Sequence, residues 1–183
     1  MGTGSLRRRC QLLRYREDLQ IEPIRGNIDT RLRKLRDGQF DAIVLAAAGI
    51  ARTRLFDQTL MTPLDTDDLV PAPGQGALAL QCREDDASTR AILESINDVE
   101  SFDCVSAERE LVRLLRGDCL SPIAALATLE GDEFTLKAAV GAREGNPPVL
   151  RVRVRSHDPL AAAHEAFHIL AQQHVEALLH GMS

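Results

Sequence analysis

The feature that most narrows the fold is an alternation, over the first fifty residues, of amphipathic helical patterns with short apolar runs. The stretch "GTGSLRRRCQLLRYR" opens on small residues and then spaces Leu6, Cys10 and Leu13 at helical intervals, which predicts a helix with a Thr/Gly/Ser start. "LQIEPIR" reads as a short strand, "NIDTRLRKLRDG" as a helix with Gly38 at its exit, and "FDAIVLAAAG" as a buried strand running into small residues. Strands and helices in alternation build βαβ units around a parallel sheet. Ligands of such sheets collect where strand carboxyl ends feed helix amino ends. Thr3 and Ser5 at one junction, and Arg25, Gly26 and Asn27 at another, are therefore expected to face one crevice.

Charge says what that crevice would take. The chain has a formal net charge of -5, yet residues 1–36 hold nine Arg and one Lys against four acids, a local net of +6. The remaining residues carry 12 basic and 23 acidic side chains, a net of -11. A basic segment on an acidic protein suggests either a solvated helix face or a local anion site, for which helix amino ends and Arg forks are suited, and the spread of Arg7, Arg8, Arg25 and Arg31 over separate elements favours the second. Tyr15 is the one aromatic in that segment, so there is little on which nucleic-acid bases could stack. Neither a P-loop nor a GxGxxG turn occurs, so nucleotide phosphates have no specific support.

The second half reads differently. "DTDDLVPAPGQGALALQCRED" is a Pro/Gly-rich passage followed by an apolar strand, "ALALQC", of the kind that crosses between domains. Helical patterns follow at about 86–97 and 99–116. Three strand candidates come next, "PIAALATLE", "EFTLKAAVGA" and "PVLRVRVRS", the first two joined through a Gly131-Asp132 turn. In the third, Leu150, Val152 and Val154 alternate with Arg151, Arg153 and Arg155, so one face is buried and the other solvated. A single helix is expected from Asp158-Pro159 to about Leu179. The organisation expected is a partial domain over 1–75, a crossing segment over 76–98 and an α+β domain over 99–183.

Aromatics make up 3% and Trp is absent, so the core must be aliphatic. No apolar run reaches the roughly 20 residues of a membrane span, and the amino end lacks a signal-peptide pattern. A cytoplasmic protein is expected. The four cysteines at 10, 82, 104 and 119 form no CxxC pair and are expected to be free thiols. Cys82 and Cys104 read as small buried hydrophobes, and Cys10 could be buried or available. Cys119, in the polar break "RGDCLSP", has the loop position that a reacting thiol needs. "HEAFHILAQQH" matches a zincin pattern at His164, Glu165 and His168, with His174 beyond. Ala171 stands where a metzincin has its helix-breaking Gly, so the helix should run on and carry His174 about 240° round from His168. These side chains read as a solvated helix face; no metal is expected, and a zinc peptidase is disfavoured.

"GTGSLRRRCQL", "RGNIDTRLRKL", "DAIVLAAAGIAR", "LVPAPGQGALALQCR" and "GDCLSPIAALA", in this order and spacing, resemble the porphobilinogen deaminase (hydroxymethylbilane synthase) family over nearly the whole chain. The resemblance implies a transferase of tetrapyrrole and heme biosynthesis that joins four porphobilinogen units with loss of ammonia, on a covalent dipyrromethane cofactor. It implies that Cys119 is the cofactor's thioether anchor, a soft thiolate able to capture the electrophilic azafulvene left by ammonia loss. Arg7, Arg8, Arg25 and Arg31 would bind the pyrrole acetates and propionates, with Thr3, Ser5 and Gly26 in the same cofactor site and Arg52 reaching the incoming substrate. Bidentate Arg–carboxylate pairs orient as well as neutralise.

Two departures from the family pattern stand out. Asp118 precedes the cysteine where Gly-Gly-Cys is usual, and the Lys-Asp-Val-Pro stretch that bears the family's catalytic Asp does not occur in these residues. The resemblance therefore implies no catalytic residue in this chain and a fragment inactive alone, from an enzyme that is a monomer when full-length. The fold class it implies is α/β: a truncated βαβ-type, periplasmic-binding-protein-like domain, then a small α+β domain with a three-stranded antiparallel sheet and helices on one face. A non-catalytic carboxylate-binding module is the alternative.

Overall fold

The computed structural model describes residues 1–53 and 55–180, so the last three residues of the expected 99–183 unit lie outside the described residues. In the first part, Gly2 lies between two parallel partners, bridging to Glu22 on one side and to Ile43 on the other. Its N–H donates to the Ala42 carbonyl at 2.8 Å and its carbonyl accepts from Val44 N–H at 3.1 Å. Across the other edge Thr3 N–H donates to Glu22 O and Glu22 N–H to Met1 O, both at 3.0 Å. The pairing is parallel, as the alternation predicts, but it is shorter than the apolar runs suggested. Single bridges stand where strands were expected. A Cβ on Gly2 would come within 3.0 Å of the Phe40 ring, so the middle position suits a residue without a side chain.

Each parallel segment feeds a helix: α1 (Leu6–Tyr15), α2 (Ile28–Arg36) and α3 (Ala47–Thr53). The first segment is central, with the second and third on opposite sides, which is the strand-order reversal at which α/β ligand crevices form. Ser5 caps α1, its side chain accepting from Arg8 N–H, and Asn27 caps α2 by accepting from Thr30 N–H at 2.9 Å. Helix α1 buries Cys10, Gln11 and Leu13. The Gln11 amide is bonded reciprocally to Val70, receiving its N–H at 2.9 Å and donating to its carbonyl at 3.0 Å.

The chain continues through α4 (Ala87–Ser95), none of whose residues is buried, and α5 (Val99–Leu114), capped by Asp98. Strands β1 (Ile123–Glu130), β2 (Glu133–Gly141) and β3 (Val149–Ser156) form an antiparallel sheet in sequence order. Glu130 pairs with Glu133 across the turn, where Gly131 takes φ 67, a left-handed conformation that glycine adopts freely. Helices α6 (Pro159–Gln172) and α7 (Val175–His180) follow. Leu111 of α5, Leu136 of β2, Leu170 of α6 and Val175 of α7 are fully buried in one cluster with the sheet. Burying each such side chain stabilises by about 1.5–3 kcal/mol. Lys137, Arg151 and Arg153 meet the 65–71 segment instead: Asp67 pairs with Lys137 and Arg153, while Arg151 donates to the Asp67 and Asp68 carbonyls.

Three expectations need correction. "ALALQC" is not a strand: residues 77–82 have no regular structure, and Leu78 and Leu80 are exposed, because among the described residues no strand pairs with them. Cys82 is accordingly half-buried, not a core residue. The final helix is broken: α6 ends at Gln172, and His174 takes φ 59, a left-handed conformation, so that α7 can bury Val175 and Leu179.

Candidate functional site

The carboxyl ends of the parallel segments set the site. Thr3 is 5% exposed, and its Oγ1 accepts from Ser5 N–H at 3.3 Å. Thr3 and Ser5 thus shape the start of α1 before they meet any ligand. The second junction turns at Gly26, whose φ of 117 and whose missing Cβ, which would lie 2.7 Å from Thr30 Cγ2, both call for glycine. Arg31 Nε donates back to the Gly26 carbonyl at 2.7 Å, while Arg25 is exposed and offers its own carbonyl to Lys34 Nζ at 3.4 Å.

Helix α1 presents three consecutive arginines with three different surroundings. Arg7 is half-buried, and its Nε is enclosed without a hydrogen-bond partner. Burial lowers its pKa, partly opposed by the neighbouring Cys10. Arg8 Nη1 donates to the Val44 carbonyl at 2.9 Å. Its pKa is lowered to about 10, first by burial and then by repulsion from Arg7 and Arg31. The charges of Arg7 and Arg31 thus both bear on Arg8. Among the described residues no Asp or Glu forms an ion pair with Arg7, Arg8, Arg25, Arg31 or Arg52. Half-buried cations without counter-charge are costly. A polycarboxylate would complete them, so these residues fit a ligand bearing several acetate or propionate groups.

Arg9 differs. Its Nη1 donates to the Ile21 carbonyl at 2.8 Å and its Nε to Asn146 Oδ1 at 3.4 Å. Arg9 fastens α1 to the second segment, a role the sequence did not reveal because its main partner is a backbone carbonyl.

Cys119 stands on the loop between α5 and β1 and is exposed. Helix α5 stops at Leu114, and Arg116 turns the chain with φ 52. Asp118 Oδ1 then accepts from Leu120 N–H at 2.9 Å, and from both Ser121 N–H and Ser121 Oγ at 2.8 Å. The Asp118 carboxylate is thus committed to the turn that carries the exposed cysteine. Its own pKa is lowered by the Ser121 hydroxyl and the Leu120 amide. Cys10 and Cys104 are buried, and burial pushes each thiol up to about 11. Of the four, Cys119 is the exposed one, with Cys82 half-buried.

Arg52, near the end of α3, donates from Nη2 to the Gly76 carbonyl at 2.6 Å. On the His-rich helix, His164 Nε2 lies 3.2 Å from Glu110 Oε1 and His168 is exposed. Among the described residues no group of three His, Cys, Asp or Glu side chains is placed to hold a metal ion. Nor is any described helix long and apolar enough to cross a membrane.

Comparison with known proteins gives two family matches. Residues 1–91 match the model described as "Porphobilinogen deaminase, dipyromethane cofactor binding domain", and residues 102–172 match "Porphobilinogen deaminase, C-terminal domain". Among similar curated proteins, porphobilinogen deaminase of Brevibacillus brevis is 48% identical over 162 residues, covering 88% of this chain and 52% of that protein. The Bacillus cereus enzyme of that name is 46% identical over 180 residues, covering 98% and 58%. A Roseiflexus relative is 42% identical over 181 residues, covering 99% and 59%. The chain thus spans little more than half the length of the curated relatives it matches.

Proposed function

The chain belongs to the porphobilinogen deaminase family, and on that footing we propose that it is the cofactor-holding and C-terminal part of a hydroxymethylbilane synthase. In this reading the whole enzyme is a transferase of heme biosynthesis that condenses four porphobilinogen molecules, with ammonia lost at each step, on a covalent dipyrromethane primer. The observation that carries the reading is that Arg7 and Arg8, both desolvated by burial, and the nearby Arg31 form no ion pair with any Asp or Glu among the described residues.

Each residue then has a distinct task. The exposed thiol of Cys119 would hold the dipyrromethane through a thioether. Arg7, Arg8, Arg25 and Arg31 receive the ring carboxylates, with the Thr3 and Ser5 hydroxyls beside them. Gly26 makes the turn that sets Arg25 and Arg31 at one edge. Arg52 takes a carboxylate of the incoming porphobilinogen. When bound, the dipyrromethane supplies the pyrrole carbon to which further units are added. These side chains bind and orient; none is assigned an acid–base role.

The first part is read as a portion of a periplasmic-binding-protein-like domain over 1–75, then a crossing segment over 76–98 and an α+β domain over 99–183. The parallel bridges about Gly2 and the core cluster within residues 104–179 support that division. The enzyme is read as a cytoplasmic monomer acting on a small molecule, without nucleic acid or membrane.

The test supplies the remaining portion of a deaminase relative together with porphobilinogen. Intact mass should show an adduct on the wild-type chain and none on Cys119→Ser. An identical adduct on both proteins removes Cys119 as the anchor. Porphobilinogen binding without any adduct would leave the non-catalytic carboxylate-binding module as the better reading.

A further inference from the structure

Glu108, on α5, is 3% exposed and is not among the cations' partners. Its two carboxylate oxygens are divided between two elements. Oε1 accepts from Ala127 N–H of β1 at 2.8 Å, and Oε2 accepts from Gly74 N–H at 2.5 Å. Gly74 belongs to the "PAPGQG" loop, which turns through left-handed conformations at Gly74 (φ 67) and Gly76 (φ 96). Two residues beyond Glu108's contact, the Gly76 carbonyl receives Arg52 Nη2 at 2.6 Å. A Cβ on Gly76 would touch Ala48 at 3.5 Å, so this loop also lies against α3. The base of the loop is fixed separately, by Ala125 N–H donating to Pro71 O at 3.2 Å.

We infer that Glu108 is a positioning residue for Arg52, holding the Gly74–Gly76 turn so that its carbonyl fixes the guanidinium between encounters with substrate. The inference rests on Arg52 being the substrate arginine. A carboxylate is needed because both partners are N–H donors, and only a group with two acceptor oxygens satisfies both. Burial raises the Glu108 pKa, while the Gly74 and Ala127 amides oppose that rise.

The test uses the 183-residue chain and porphobilinogen as probe. In Glu108→Gln the amide group can accept from only one of the two N–H donors. Gly74 and Gly76 amide exchange should accelerate, the Arg52 side-chain NMR signals should shift, and porphobilinogen affinity should fall about tenfold, the equivalent of one lost hydrogen bond. Amides of β2 and β3 should exchange as before. Arg52→Ala run in parallel separates the two ideas. If it leaves affinity unchanged, the substrate role of Arg52 fails, while the Arg52 and Gly76 signals of Glu108→Gln still report the positioning. Unmoved Arg52 signals, or loss of protection throughout the sheet, overturn the inference. If Glu108→Gln does not fold, Glu108→Asp is read in its place, and failure of both to fold overturns it as well.

Discussion

Arg9 Nη1 lies 2.8 Å from the carbonyl oxygen of Ile21, while the adjacent Arg7 leaves its buried Nε without a partner. Near neighbours in sequence, the two arginines have opposite stakes in the stability of the fold. Arg9→Ala should destabilise by about 1–3 kcal/mol, the cost of stranding a partly buried carbonyl. Arg7→Ala should be neutral or stabilising, because it removes a desolvated cation crowded by Arg8. Arg36→Ala, at an exposed position on α2, should stay within about 0.5 kcal/mol. Urea unfolding of the three variants checks the order, and a destabilising Arg7→Ala would contradict the account of its surroundings.

Ligand binding should reverse that ranking. Arg7→Ala and Arg8→Ala each leave a carboxylate unpaired in a partly desolvated crevice, at a cost of about 2–5 kcal/mol. In affinity this is roughly 30- to 4,000-fold. Titration with a dipyrromethane polycarboxylate measures it, and Arg36→Ala should bind as wild type. Equal losses in all three would mean that the helices offer only general positive charge.

Thiol chemistry should be ordered by exposure. Iodoacetamide at neutral pH should label Cys119 first and leave Cys10 and Cys104 untouched until the protein is unfolded. Peptide mapping after a time course identifies the order, and early labelling of Cys10 would contradict its burial.

Alkaline pH should weaken the fold through Cys10. Its thiol rises from an ordinary 9.0 to about 11, so the folded state holds a proton that the unfolded state has already released. Stability is therefore full below about pH 9 and falls as pH climbs towards 11, by about 2–3 kcal/mol from this group. Urea midpoints of wild type and Cys10→Ala between pH 8 and 11 test the sign, and the variant should show the shallower decline.

At the acid end, the Asp118 turn should loosen. Its carboxylate pKa is lowered by the Ser121 hydroxyl and the Leu120 amide, so the turn is intact above the ordinary value of 3.8 and lost as pH falls through the lowered one. Asp118→Ala should reproduce that loosening at pH 7, with faster Ser121 amide exchange, and Asp118→Asn should restore part of the protection. Unchanged exchange in the alanine variant would show that the turn does not depend on this carboxylate.

Features declared by neighbouring residues were legible in the sequence. Ser5 and Asn27 announce α1 and α2 because a cap needs only the next turn of chain. The three antiparallel strands follow from alternation and one glycine turn. What failed depended on distant partners. Residues 77–82 have a strand's pattern but find no edge to join. The break at His174 carries no Gly or Pro, and its cause is the burial of Val175 and Leu179. The arginine cluster was legible as charge, whereas its division into Arg7 without a partner and Arg9 bonded required the fold.

The reciprocal bonding of Gln11 to Val70 makes a side-chain amide serve as one rung of a backbone ladder. That rung joins α1 to a strap whose other attachments, Pro71 to Ala125 and Asp67 to Lys137 and Arg153, belong to the antiparallel sheet. The strap therefore links α1 to the sheet that begins four residues after Cys119. Gln11 thus splices the arginine-bearing helix into the frame that carries the thiol loop, alongside the Tyr15–Asp68 and Arg9–Asn146 bonds.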